Sequence, residues 1–129
     1  MSELKVLLVD DEEEFVSTLA ERLELRNIKT LIATDGGQAL QIIQTDKPPV
    51  VVLDVMMPDL SGLEVLRYLR RDPRLEKIPV IVVSAKSLSS DIKNGLDAGA
   101  NVYLTKPVAF QDLNTAVREV IETAAGEVV

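Results

Sequence analysis

The chain contains no cysteine, no histidine and no tryptophan, and aromatic residues make up only 3% of its 129 residues. Without cysteine no disulfide can form, so stability must come from an ordinary apolar core. Without histidine there is no imidazole to ligate a metal, to act as a general base at neutral pH or to carry a phosphoryl group. Long hydrophobic runs are also missing. The apolar stretches have the length of strands, far short of the ~18 residues that cross a bilayer. Met1 to Lys5 leads straight into such a stretch instead of a basic, then apolar, then small-residue leader, so a cytoplasmic protein with no membrane partner is expected. Positive charge is scarce too: the formal net charge is −7 and the isoelectric point near 4.6. A surface of that sign does not grip a nucleic-acid backbone directly, and the expected partners are proteins.

What the chain does have is 47% hydrophobic content. A domain of this length buries roughly two thirds of its unfolded surface. No Gly/Ser/Pro-rich linker, internal repeat or low-complexity tract divides it, so residues 1–129 are read as a single domain. Leu4 to Val9, Thr30 to Ala33, Val50 to Leu53, Val80 to Val83 and Val102 to Leu104 are apolar without polar alternation, as strands covered on both faces are. Between them, Phe15, Leu19 and Leu23, then Leu63, Leu66 and Leu69, then Leu113, Val117, Val120 and Ile121 recur at helical spacing. Gly37 to Gln44 and Leu88 to Asp97 complete a strand–helix unit repeated five times. Parallel strands need such crossovers, which predicts a three-layer α/β sandwich. Gly99 is expected to close the fourth helix in a left-handed conformation, and Gly95 inside that helix is expected to weaken it.

Parallel strands bring their carboxyl ends to one rim, where ligands bind in open α/β sheets. Asp10 and Asp11 follow KVLLV, Asp54 follows VVVL, Ser84 follows VIVV and Lys106 follows VYLT. Three carboxylates on one rim repel one another unless a cation offsets them. Oxygen ligands without histidine or cysteine favour a hard divalent ion, Mg²⁺ or alternatively Mn²⁺, over a dedicated Ca²⁺ cage. A metal, a lysine and a hydroxyl around one carboxylate suit a phosphoryl group, whose oxygens must be neutralised and held in line. The carboxylate would then be the nucleophile, forming a labile acyl phosphate.

These motifs resemble the receiver domain of bacterial two-component response regulators over nearly the whole chain. The resemblance rests on V-D-D-E at Val9 to Glu12, L-D-V-M-M-P-D-L-S-G at Leu53 to Gly62, V-S-A at Val83 to Ala85 and A-G-A-N-V-Y-L-T-K-P at Ala98 to Pro107. It implies a flavodoxin-like fold with strand order 2-1-3-4-5. It also implies that Asp54 accepts the phosphoryl group from a phosphohistidine on a sensor histidine kinase or histidine phosphotransfer protein. Asp11 and Asp54 would then ligate Mg²⁺ directly, with Asp10 acting through water and Met56 through its backbone carbonyl. Ser84 and Lys106 would hold phosphoryl oxygens, Tyr103 would be the switch aromatic, and Lys106–Pro107 would be a cis bond. A downstream protein would dock on the fourth helix, fifth strand and fifth helix. On this reading the chain is a switch that catalyses only its own phosphorylation and dephosphorylation.

Each residue also has a plainer reading. An isolated D-D-E is most simply an acidic first helical turn, Ser84 a cap, Lys106 a surface lysine and Tyr103 a packing aromatic. Met56 and Met57 read as packing residues, Met56 and Lys86 flank the approach of attacking water, and Ala109 offers no side-chain cap to the fifth helix. The rival function is a metal-dependent phosphatase with an aspartyl nucleophile, of the haloacid dehalogenase type. That chemistry wants a D-x-D pair after the first strand, whereas here the acidic pair is adjacent and the nucleophile follows the third. A P-loop is absent, and Asp-Asp-Glu would repel a flavin phosphate.

Overall fold

In a computed structural model that describes residues 4–127, five strands alternate with five helices. These are β1 (Leu4–Val9), α1 (Glu13–Glu24), β2 (Ile28–Ala33), α2 (Gly36–Asp46), β3 (Val50–Leu53), α3 (Gly62–Arg71), β4 (Val80–Ser84), α4 (Ser89–Asp97), β5 (Val102–Thr105) and α5 (Phe110–Glu127). All pairings are parallel and the order is β2-β1-β3-β4-β5. That is the flavodoxin-like arrangement expected, with β1 and β3 adjacent where the order reverses.

Alternation along the strands divides the core in two, because successive side chains leave opposite faces of a sheet. Leu7, Val9, Val51, Leu53, Val80 and Val82 pack with Ala39 and Ile43 of α2 and Val65, Leu66 and Leu69 of α3. Val6, Leu8, Val50, Val52, Ile81 and Val83 pack with Val16, Leu19 and Leu23 of α1 and Leu113 and Val117 of α5. Both faces being covered explains why Val6–Val9, Val50–Leu53 and Val80–Val83 are apolar throughout.

Helix ends follow local chemistry. Asp35 caps α2 by accepting from the Gln38 N–H at 2.8 Å, and Lys47 ends it in a left-handed conformation before Pro48. The helix starts at Gly36, one residue before the expected Gly37. Ser61 and Glu64 form a reciprocal capping box at α3, 3.3 Å in each direction. Gly99 has φ +117°, as expected after α4. Edge strand β2 begins at Ile28 instead of Thr30, because its exposed Lys29 and half-buried Thr30 hide it from a search for continuous apolar runs.

Register delivers the chemistry to one rim. Val9 is opposite Leu53, and the Asp54 N–H donates to the Val9 carbonyl at 2.9 Å. Ser84 is opposite Thr105, and the Lys106 N–H donates to the Ser84 carbonyl at 2.8 Å. A Cβ on Gly62 would overlap the Asp54 carbonyl oxygen and lie 2.7 Å from the Val55 Cα. Only glycine lets α3 start this close behind Asp54.

Candidate functional site

One turn recurs at three strand ends. The Glu12 N–H donates to Asp10 Oδ1 at 2.9 Å, the Met56 N–H to Asp54 Oδ1 at 2.9 Å, and the Lys86 N–H to Ser84 Oγ at 3.2 Å. In each, a side-chain oxygen accepts from the amide two residues on, which fixes its rotamer as the chain leaves the sheet. Asp10 and Asp54 are each 4% exposed and Ser84 is fully buried. The first oxygen of both aspartates is thus committed to the backbone, and the second faces a common centre.

That centre holds the Lys106 ammonium. Its Nζ lies 2.8 Å from Asp10 Oδ2, 2.7 Å from Glu12 Oε1 and 3.3 Å from Asp54 Oδ2, so its three donors meet three carboxylates. The same Nζ lies 4.3 Å from the centroid of the Phe15 ring. Burial opposes the charge of Lys106, but its hydrogen bonds to Asp10 and Glu12 and the charges of Asp54 and Asp10 prevail, and its pKa is raised. Burial also raises the Asp10 pKa, against the lowering effect of its bonds to Lys106 and the Glu12 amide. These directions agree physically: acidic charge outnumbers basic charge in a partly dry pocket, so protonation is favoured at both groups.

The oxygens of Asp10, Glu12 and Asp54 lie within 4.8 Å of one another. With one ammonium among them they keep an excess of negative charge equal to that of a divalent cation, and all donors are hard oxygens. The residues present therefore fit such an ion. Asp11, expected beside Asp54, is exposed and is not in this group. Glu12, not singled out from the sequence, is in the group; the signal was there in the third acid of V-D-D-E. Met56 is 49% exposed, which corrects its reading as a packing residue, whereas Met57 is in the core. Its amide is tied to Asp54 and its side chain is left at the surface.

Tyr103 is half-buried on β5, and its hydroxyl donates to the Lys86 carbonyl at 2.7 Å, on the loop that follows Ser84. Burial is the main cause that raises its pKa. The Lys106–Pro107 peptide is cis, as expected.

A doubly wound parallel sheet with an acid–lysine cluster at its carboxyl rim defines an α/β domain whose ligand-binding edge is that rim. Comparison with known proteins narrows this to one family. The model of the response regulator receiver domain matches residues 6–118, and the chain belongs to that family. It is 38% identical over 117 residues to the alkaline phosphatase synthesis transcriptional regulatory protein PhoP of Bacillus subtilis (strain 168), covering 91% of this chain and 48% of that protein. It is 40% identical over 118 residues to the response regulator MprA of Mycolicibacterium vanbaalenii, covering 92% of this chain and 50% of MprA. The chain thus spans about half the length of these relatives. Among solved structures, the receiver domain of the Francisella response regulator 1452 superposes with a TM-score of 0.87 at 34% identity, covering 92% of this chain and 97% of that one. A CheY-like receiver domain protein from Methanospirillum hungatei JF-1 gives a TM-score of 0.90 at 25% identity, over 98% of this chain and 99% of its own.

The chain is therefore a receiver domain of a two-component response regulator, a signalling switch; the haloacid dehalogenase alternative finds no support. Among the described residues no helix is long and apolar enough to cross a membrane.

Proposed function

We propose that Asp54 accepts a phosphoryl group from the phosphohistidine of a sensor histidine kinase or histidine phosphotransfer protein. A carboxylate oxygen of Asp54 forms the new P–O bond as the P–N bond to the donor imidazole breaks, and the imidazole leaves with the electron pair. The observation that carries this reading is the Asp54 carboxylate itself, buried, oriented by the Met56 amide and 3.3 Å from Lys106 Nζ. Lys106 would pair with one phosphoryl oxygen and the Ser84 hydroxyl would donate to another. Asp11 and Asp54, the Met56 carbonyl and, through water, Asp10 would hold Mg²⁺, with Mn²⁺ as an alternative. When bound, the ion neutralises phosphoryl charge. Attack of water on phosphorus would return free Asp54 and phosphate, so the only reaction catalysed is on the protein's own aspartate.

Residues 1–129 are read as one receiver domain acting in the cytoplasm. Its acidic charge supports protein partners over direct nucleic-acid binding. Output would pass through α4, β5 and α5: Tyr103 links β5 to the loop before α4, and Leu88 and Leu96 beside and on α4 are 69% and 44% exposed. Incubation with acetyl phosphate and Mg²⁺ tests the chemistry. A single phosphoryl adduct is expected at Asp54, absent in Asp54→Asn; equal labelling of Asp54→Asn, or labelling with all divalent ions chelated, would overturn it.

A further inference from the structure

We infer that Phe15 is a positioning residue for Lys106, keeping the ammonium at the site when a divalent cation takes over the carboxylates that now hold it. This rests on the phosphoacceptor reading above. Phe15 is the third residue of α1, half-buried, and packs at the edge of the core beneath that helix. Packing alone would be served by any aliphatic residue. The geometry is more specific: Nζ of Lys106 lies 4.3 Å from the ring centroid, well inside the ~6 Å range of a cation–π contact.

The need for a second hold follows from competition. Without a cation, Asp10, Glu12 and Asp54 take all three ammonium donors, and the ring is redundant. A dication held by Asp54 and, through water, by Asp10 would withdraw those two acceptors and repel the ammonium. Lysine carries a flexible four-carbon stem and a strongly hydrated head, and is entropically inclined to swing into water. The ring face attracts the cation electrostatically without offering an oxygen that the metal could take. It therefore holds Lys106 where the incoming phosphoryl oxygen arrives. Phe15 should matter in the metal-loaded protein and hardly at all in the metal-free one.

The test replaces Phe15 with 4-fluoro-, 3,5-difluoro- and 3,4,5-trifluorophenylalanine, which nearly preserve shape while weakening the negative ring face stepwise; Phe15→Leu is added as the aliphatic limit. NMR of the Lys106 side chain, before and after saturation with Mg²⁺, is the readout. In the native protein, Lys106 Cε stays ordered and ring-shifted in both states. Along the fluorinated series its order should fall progressively with Mg²⁺ only, and the rate of Asp54 labelling by acetyl phosphate should fall about threefold or more. A Lys106 equally ordered across the Mg²⁺-loaded series, or an effect equal in the metal-free state, would overturn the inference. If Mg²⁺ perturbs neither Asp54 nor Lys106 in the native protein, the phosphoacceptor reading fails first; if it binds but native Lys106 is already mobile, only the role of Phe15 fails.

Discussion

The ring of Tyr103 lies against the backbone of Gly95, in a notch so close that a Cβ there would sit 2.7 Å from Cδ2 and 2.8 Å from Cε2. A glycine in the middle of α4 therefore has a reason beyond weak helix propensity. Alanine should stabilise an isolated helix by about 1 kcal/mol at such a position. Here it meets a ring anchored at its far end by the Lys86 carbonyl. Gly95→Ala is expected to lower stability by about 1 kcal/mol in the native background and to raise it by a few tenths to 1 kcal/mol in Tyr103→Ala. Denaturant unfolding of the four proteins measures the coupling, and additive effects would show that the ring and the helix are independent.

Asp10→Asn should stabilise the protein at neutral pH while weakening cation binding. Burial raises the Asp10 pKa, so the folded state holds this proton more tightly than the unfolded one. Stability from this group thus rises as pH falls through the raised value towards 3.8, and is lost above it. Asparagine keeps an oxygen for the Glu12 amide or for Lys106 and removes the ionisation. With allowance for solvent screening, the gain should be a few tenths to about 1 kcal/mol. Thermal melts from pH 4 to 8 should show a shallower pH dependence in the variant; an unchanged slope would remove Asp10 as its source.

Asp11→Ala should weaken Mg²⁺ binding more than Asp10→Ala, by about tenfold, equivalent to about 1.4 kcal/mol. Both oxygens of Asp10 are already engaged, one by the Glu12 amide and one by Lys106, whereas the carboxylate of Asp11 is exposed. Calorimetric titration decides between them. Equal losses would withdraw the assignment of direct and water-mediated ligands, and a larger loss for Glu12→Ala would move the ion towards the third acid.

How much could be read beforehand depended on the kind of signal. β3 was legible to the residue because a strand buried on both faces has no polar interruption, and β1 because its one polar residue, Lys5, falls at its half-buried outer end. β2 was truncated and β4 and β5 each lost a polar last residue, Ser84 and Thr105, since the same rule discards the ends that carry chemistry. Asp10, Asp54, Ser84 and Lys106 were legible as a rim because topology alone brings strand ends together. Glu12 was not, because its approach to Lys106 depends on how the chain turns after β1. The contacts of Phe15 and Gly95 were hidden for a similar reason: helical spacing shows which face is buried, not which side chain lies over it.

Activation should move α4 unevenly, most at its start and least at its end. Arg70 of α3 spends five hydrogen bonds on neutral acceptors: two on the Gly99 carbonyl at 3.0 and 2.9 Å, one each on the Glu76 and Ile78 carbonyls at 2.8 Å, and one on Asn101 Oδ1 at 3.1 Å. Asn101 Oδ1 in turn accepts the Val80 N–H at 2.8 Å. The segment after α4 is thereby tied to α3 and to the start of β4. At the other end, Ala85 to Ser90 are all exposed, and the first turn relies on a 3.2 Å bond from the Leu88 N–H to Asp91. A beryllofluoride adduct on Asp54 would draw in Ser84 and Lys106, which border the loose end and not the tied one. Hydrogen exchange is therefore expected to change most at residues 86–92 and least at 98–101, with a typical coupling of ~1–3 kcal/mol to partner binding. Arg70→Met should cost about 2–3 kcal/mol of stability and spread the change to 98–101. Exchange that changes uniformly along α4 in the native protein, or only around Asp10 and Asp54, would show that the helix is not hinged at its carboxyl end.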